Sequence, residues 1–370
     1  MANSMRTSET DSASSEATNG DLLVASPTNG RSDDTLTYTP LKSNDFEAQT
    51  LIDLFRTMLL SRRLDEKMVT LLKQGFGHFH IGAAGHEAAQ AAIGHYLRSG
   101  DDWFCMYYQD QCQALMQGMT SRDILLAHMA KADDPSSGGR QMPEHFTSIE
   151  KNILPSSSSV GSQFLPALGT AMTLQREESD RITYVSCGDG ATSQGDFHEA
   201  LNWAALVQAP MLFVVQDNGY AISVPKDQQT AGGSAYKFGA GYEGLTRIHV
   251  DGTDFFQVAG AAKKAIEHIR TRKGPVLLVT DVVRLMPHSS SDNHTKYRPS
   301  EELSADLQRD PITRFEMALI EAGVLTEASA EAMKQEVHQQ VDADAEWCKQ
   351  QPDPAPETAQ PYFLRGRSRA

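Results

Sequence analysis

Asp189 stands between Gly188 and Gly190, where an apolar run from Arg181 to Cys187 comes to a stop. Asn218 closes the next apolar run, in "VVQDNGYAIS", with Tyr220 close behind. A carboxylate and an amide oxygen converging at two strand ends suit a hard cation such as Mg2+. That ion takes few protein oxygens and fills its octahedron with water and phosphate. A helix expected from about Asp196 aims its free amides and positive end at an anion. Gly188 and Gly190 let the backbone approach that anion closely. On the dipeptide alone, Asp-Gly reads as a plain turn. Metal, amides and glycines together describe a diphosphate site.

The histidines divide by setting. His288 follows Pro287, precedes a serine run and lies in a loop after a strand's carboxyl end, which marks it as a functional, catalytic candidate. His80, in "GHFHIG", is a second catalytic candidate, at a substrate pocket. His86 opens a helix and reads equally well as a packing or capping residue. His145 sits in a Gly-, Pro- and Ser-rich loop over residues 133–155, where a structural role is the stronger reading. Ser289 to Ser291 read as a flexible polar loop rather than a phosphorylation site.

The elements that must position these groups alternate. Strands are expected at Ile182–Cys187, Met211–Val215, Ile248–Val250 and Val276–Val283, with helices from about Asp196 to Val207 and from Phe255 to about Arg272. Such repetition means an α/β fold, a parallel sheet with right-handed crossovers. Ligands of such sheets sit at the carboxyl ends of the strands. Helical spacing from Asn44 to Gln74, and again after Pro299 to about Lys349, adds helical extensions at both ends. Residues 1–40, rich in Ser, Thr, Asn and Asp, read as a disordered acidic tail; residues 41–349 form the α/β domain, and 350–370 an extended arm.

The net charge of -15 argues against nucleic acid or an anionic membrane as the main partner. No apolar run approaches spanning length. Four cysteines without a C-x-x-C pair suit a reduced, cytoplasmic protein. The acidic N-terminus is unlike a secretory signal or transit peptide.

Gly188-Asp189-Gly190, about 26 residues, then Asp217-Asn218 resembles the thiamine diphosphate motif, with Asp in the first Asn place. "GDGATSQGDFHEALNWAA" and "DNGYAIS" are similar to the alpha subunit of the decarboxylating component of 2-oxo acid dehydrogenase complexes. The likeness runs from about Asp53 to Phe315 and includes "YYQDQ", "GRQMPEH", "SSSSVGSQ" and "HSSSDNHTKYR". "GRQMPEH" and "HSSSD" look more like the branched-chain (2-oxoisovalerate) branch than the pyruvate branch.

The resemblance implies a thiamine diphosphate-binding fold with helices on both sheet faces. It implies Asp189, Asn218 and the Tyr220 carbonyl as Mg2+ ligands. Tyr108, Ser158, Val160, Gly188, Gly190 and Ala191 would line the cofactor pocket, with His288 on a mobile loop over it. Ser157, Ser159, Ser162 and Gln163 match a potassium-binding loop. A beta subunit would complete the active site in an α2β2 heterotetramer, and a lipoyl-bearing acyltransferase would take the acyl group from the 2-oxo acid. The activity implied is that of branched-chain amino acid catabolism, 3-methyl-2-oxobutanoate dehydrogenase. Pyruvate or acetoin dehydrogenase and a non-catalytic regulatory paralogue stand as alternatives. Two departures bear on the cofactor: Gln109 stands where the pattern has Arg against the diphosphate, and Gln216 where some branched-chain members have Arg. Losing a charge-assisted contact removes about 1.5–3 kcal/mol, so a weaker cofactor site is expected.

Overall fold

The computed structural model describes residues 34–359. The main sheet holds β1 (Trp103–Cys105), β2 (Thr183–Gly188) and β3 (Met211–Asp217). After a small antiparallel hairpin, β4 (Tyr220–Ala221) with β5 (Val224–Pro225), it resumes with β6 (Thr246–Asp251) and β7 (Val276–Asp281). The order is β1-β2-β3-β7-β6, every pair parallel. Register sets Asp217 beside Asp281 and Asp281 beside Asp251, and Gly188 beside Gln216. The expected sheet edge therefore exists, and acidic residues crowd it.

The central strands β3 and β7 are apolar along most of their length because both faces are covered. Tyr184, Leu212, Val214 and Leu278 belong to one buried cluster, and Val185, Phe213, Val215 and Val279 to the other. The first cluster takes in α1 (Ala48–Lys73), α2 (Glu87–Gly94), α3 (Gln111–Met116) and α4 (Ser121–His128). The second takes in α5 (Phe164–Arg176) and α6 (Gly195–Val207). Two single-turn helices, α7 (Lys226–Gln229) and α8 (Ala235–Phe238), cover the segment after the hairpin. α9 (Phe255–Arg270) lies against α2, its entry capped by the Asp254 side chain.

The helical region after Pro299 is three helices: α10 (Ser300–Leu307), α11 (Pro311–Glu321) and α12 (Glu327–Lys349). Local chemistry divides them. Asp310 caps α11 with Pro311 at its first position, and Thr326 with Ser329 forms the cap of α12. The Thr120–Asp123 capping box also forms, opening α4.

Two expectations shift. Strand β1 was not expected; at three residues it is too short to show a period. Residues 34–40, assigned to the tail from composition, run along the sheet edge. The Leu36 amide donates to the Arg247 carbonyl at 3.0 Å, and Leu36 and Tyr38 pack against the core. A Cβ on Gly260 of α9 would fall 2.2 Å from the Thr39 carbonyl oxygen. Edge amides and a glycine-sized gap hold this segment, neither of which composition reveals. Residues 1–33 and 360–370 of the expected tail and arm lie outside the described residues.

Candidate active site

Strand β2 does not pass straight into a helix. A 3-10 turn, Asp189–Ser193, intervenes before α6 and packs on β3 and β4. Asp189 is 5% exposed, yet neither carboxylate oxygen has a hydrogen-bond partner among the described residues. Burial, and then the charge of Asp217, push its carboxyl up to about 7. Such a group is expensive to keep without a cation. The Gln229 amide bonds the carbonyls of Asp189 and Gly190 at 3.1 and 2.9 Å, clamping the turn. Gly190 also has a packing reason: a Cβ there would lie 2.9 Å from that of Ala221. A Cβ on Gly188 would make only ordinary contacts, 3.8 Å from Tyr107 and 3.9 Å from the Gln216 carbonyl oxygen, and its φ of -81° is ordinary.

Asn218 follows β3 and is buried; its Oδ1 accepts from the Tyr220 amide at 3.2 Å and its Nδ2 donates to His86 Nε2 at 3.4 Å. Asp217 is already paired, 2.8 Å from Lys226 Nζ. His86 Nδ1 donates to Gln216 Oε1 at 3.1 Å, and burial drives the ring down to about 3, so it is neutral. The even-handed reading of His86 thus resolves into a buried hydrogen-bonding residue touching Asn218.

The two glutamines are bound into the interior. Gln216 Nε2 donates to Asp110 Oδ1 at 2.6 Å, and its Oε1 accepts from Gln90 at 2.8 Å. Gln109 is 3% exposed and donates to the Gly82 carbonyl at 2.9 Å. Asp110 also accepts from Ser186 and Tyr184. Burial raises its carboxyl to about 7 even with those bonds.

Tyr108 and His288 meet edge to face with centroids 5.9 Å apart. Burial, and then the Arg284 guanidinium, bring His288 down to about 4, leaving a neutral ring at pH 7. The His288 amide and the Tyr297 hydroxyl both donate to Asp292, at 2.9 and 2.6 Å. Arg284, buried, donates to the Tyr297 hydroxyl and the Ile222 carbonyl, each at 2.8 Å. His80 is tied to this loop by its backbone: the Ser290 amide donates to the His80 carbonyl at 2.8 Å. Its ring lies inward, with Nδ1 2.8 Å from Glu144 and Nε2 3.5 Å from Asp65.

His145 Nδ1 donates to the Pro143 carbonyl at 2.9 Å, which leaves Nε2 to accept from the Ser158 hydroxyl at 2.7 Å. This orients Ser158. Val160 and Ala191 lie in or against the second core cluster. Ser157, Ser159 and Ser162 are exposed, whereas Gln163 is buried, donating to the Ser186 carbonyl and accepting from the Gly161 amide. Sequence reasoning missed Lys226, Gln229, Arg284 and Glu144. Although Glu144 lies in "GRQMPEH", nothing in that stretch ties it to His80, and the others stand outside the quoted motifs.

Residues 55–357 match the family model described as "Dehydrogenase E1 component". The chain is 38% identical over 314 residues to 2-oxoisovalerate dehydrogenase subunit alpha of Bacillus subtilis (strain 168), covering 85% of this chain and 95% of that one. It is 36% identical over 280 residues to 3-methyl-2-oxobutanoate dehydrogenase subunit alpha of Mycobacterium tuberculosis (strain ATCC 25618 / H37Rv), 76% of this chain and 73% of that one. To pyruvate dehydrogenase E1 component subunit alpha of Staphylococcus aureus (strain N315) the figures are 32% over 284 residues, 76% and 74%.

Proposed function

The chain belongs to the dehydrogenase E1 component family, and from that premise we propose that it is the alpha subunit of a branched-chain 2-oxo acid dehydrogenase using thiamine diphosphate and Mg2+. The observation that carries the reading is the buried carboxylate of Asp189, unpaired at a sheet edge. The residues fit the cofactor. Asp189, Asn218 and the Tyr220 carbonyl would hold Mg2+, which needs oxygen donors and little else from protein. Tyr108, Gln109, Ser158, Val160, Gly188, Gly190 and Ala191 would line the pocket, and Ser157, Ser159, Ser162 and Gln163 a potassium loop. When bound, thiamine diphosphate supplies the electron sink for decarboxylation.

This chain's own part is orientation and proton transfer. His288, neutral at pH 7, can accept a proton at a ring nitrogen, and Asp292 holds its backbone. His80, joined through its backbone to Ser290, positions the same loop. The reading includes a beta subunit in an α2β2 assembly, a lipoyl-bearing acyltransferase as acceptor, and a cytoplasmic location. Among the described residues no helix is long and apolar enough to cross a membrane. The names of two of the three relatives favour a branched-chain substrate over pyruvate. A non-catalytic paralogue is the second reading, motivated by Gln109 and Gln216, whose neutral amides are already engaged. Turnover separates the two. The full chain mixed with its beta subunit should decarboxylate 2-oxoisovalerate faster than pyruvate and be inactive alone. Turnover by the chain alone would contradict the half-site reading, and inactivity of the mixture would favour the paralogue.

A further inference from the structure

A second buried cluster lies apart from the edge at Asp189. Glu144 in the loop before β2, His80 before α2 and His128 at the end of α4 each offer a donor atom within 4.8 Å of the others. All three are buried. Among the described residues, His80 Nε2, Glu144 Oε2 and both ring nitrogens of His128 lack a hydrogen-bond partner. The Met68 and Phe76 carbonyls face the His128 ring. Asp65 on α1 stands behind His80, its Oδ1 3.5 Å from Nε2 and its Oδ2 accepting from the Ala83 amide at 2.8 Å.

We propose that His80, His128 and Glu144 form a binding site for one divalent transition-metal ion of the Zn2+ class, with Asp65 as fourth ligand or as outer support. Charge argues for it. Asp65 and Glu144 are two buried carboxylates whose only ion-pair partner within 4.0 Å, among the described residues, is the single ring of His80. The nearby Arg62 is spent on Glu87 and Asp310. A divalent ion balances both acids at once, where a protonated His80 balances one. Donor type argues for its class, since two imidazoles with carboxylate select zinc-like ions over Mg2+ or Ca2+.

Geometry is compatible. Tetrahedral zinc with bonds of about 2.1 Å places ligands roughly 3.4 Å apart, so the three groups need only draw inward. Gly77 leaves the space: a Cβ there would lie 2.5 Å from His128 Nε2. Metal ligands must be deprotonated, so binding releases any proton held at the ligating atoms. The ion would fasten α4 and the Glu144 loop to His80, and through His80 to the loop of His288. This inference does not depend on thiamine diphosphate.

The test is metal titration of the purified full chain, first stripped with a chelator. Zn2+ should bind at one equivalent per chain, and Co2+ should give the visible absorption of a tetrahedral site. His128→Ala should weaken binding at least tenfold. Glu144→Gln, which keeps the shape, should do the same should the first variant fold poorly. Asp189→Asn should leave the metal in place, and excess Mg2+ should not displace it. A wild-type chain that takes up well under one equivalent, or variants that bind as tightly as the wild type, would overturn the proposal.

Discussion

Four aspartates crowd the carboxyl edge of the sheet, and they divide into two regions. On the β6 side, Asp251 meets Arg314 at 2.9 Å and Arg309 at 3.2 Å, and Asp281 meets His249 at 2.9 Å. Asp217 at the end of β3 has Lys226. Asp189, on the β2 side, has no hydrogen bond to its carboxylate among the described residues, and Lys226 and Arg284 act on it only as more distant charges. Burial raises both Asp251 and Asp189. Arg314 and Thr253 reverse this for Asp251 and bring it to about 2, whereas nothing reverses it for Asp189, which stands at about 7. The same residue type at the same edge is paired in one place and unpaired in the other. The presence or absence of a partner makes the difference.

If that division is right, changes on the open side should cost function, and changes on the closed side stability. The largest effect is expected from His288→Ala, which should slow acyl transfer to lipoyl groups by about 10²–10⁴-fold. Cofactor affinity and melting temperature should move little. Single-turnover assays with the beta subunit present would measure it, and an unchanged rate would make His288 a loop residue only.

Next, Asp251→Ala should lower unfolding stability by about 1 kcal/mol, a figure kept small because Asp251 and Arg314 are each about a third exposed. Cofactor titration should be unaffected. The wild type carries the matching pH signature. The Asp251 carboxyl lies near 2 in the folded chain against the ordinary 3.8, so its contribution is whole above pH 3.8 and is lost as pH falls through 2. Acid denaturation of wild type and Asp251→Ala should therefore converge over that interval. Curves that stay parallel would separate Asp251 from the effect.

The smallest effect is expected from Gln109→Arg. A guanidinium facing the diphosphate would gain charge-assisted bonds. It would first have to give up the interior bond that Gln109 makes to Gly82. Roughly fivefold tighter thiamine diphosphate binding, about 1 kcal/mol, is the net expectation. Thiamine without phosphate should bind no better, and equal gains for both ligands would place residue 109 elsewhere.

Much of this edge was legible beforehand. Alternating apolar runs located four of the five strands in the main sheet, and Gly188-Asp189-Gly190 and Asn218 fell at strand ends as expected. What stayed hidden depends on distant partners. No local pattern links Glu144 to His80, 64 residues away, or Arg284 to Tyr297 across a loop. The role of Gly190 combined a backbone argument with a packing one, because Ala221 reaches it only through the hairpin. Residues 34–40 read as tail because edge hydrogen bonds use backbone atoms, which composition does not register.

The most direct test concerns Asp189 itself. Thermal unfolding of the full chain and of Asp189→Asn should be compared with and without Mg2+ and thiamine diphosphate together. Without ligands the Asn variant should be at least as stable as the wild type, since it no longer buries an uncompensated acid. With both ligands the wild type should gain stability by mass action, and the variant should gain little or none. A variant that is weakened without ligand yet gains as much as the wild type with it would contradict the account, returning Asp189 to the role of a turn residue.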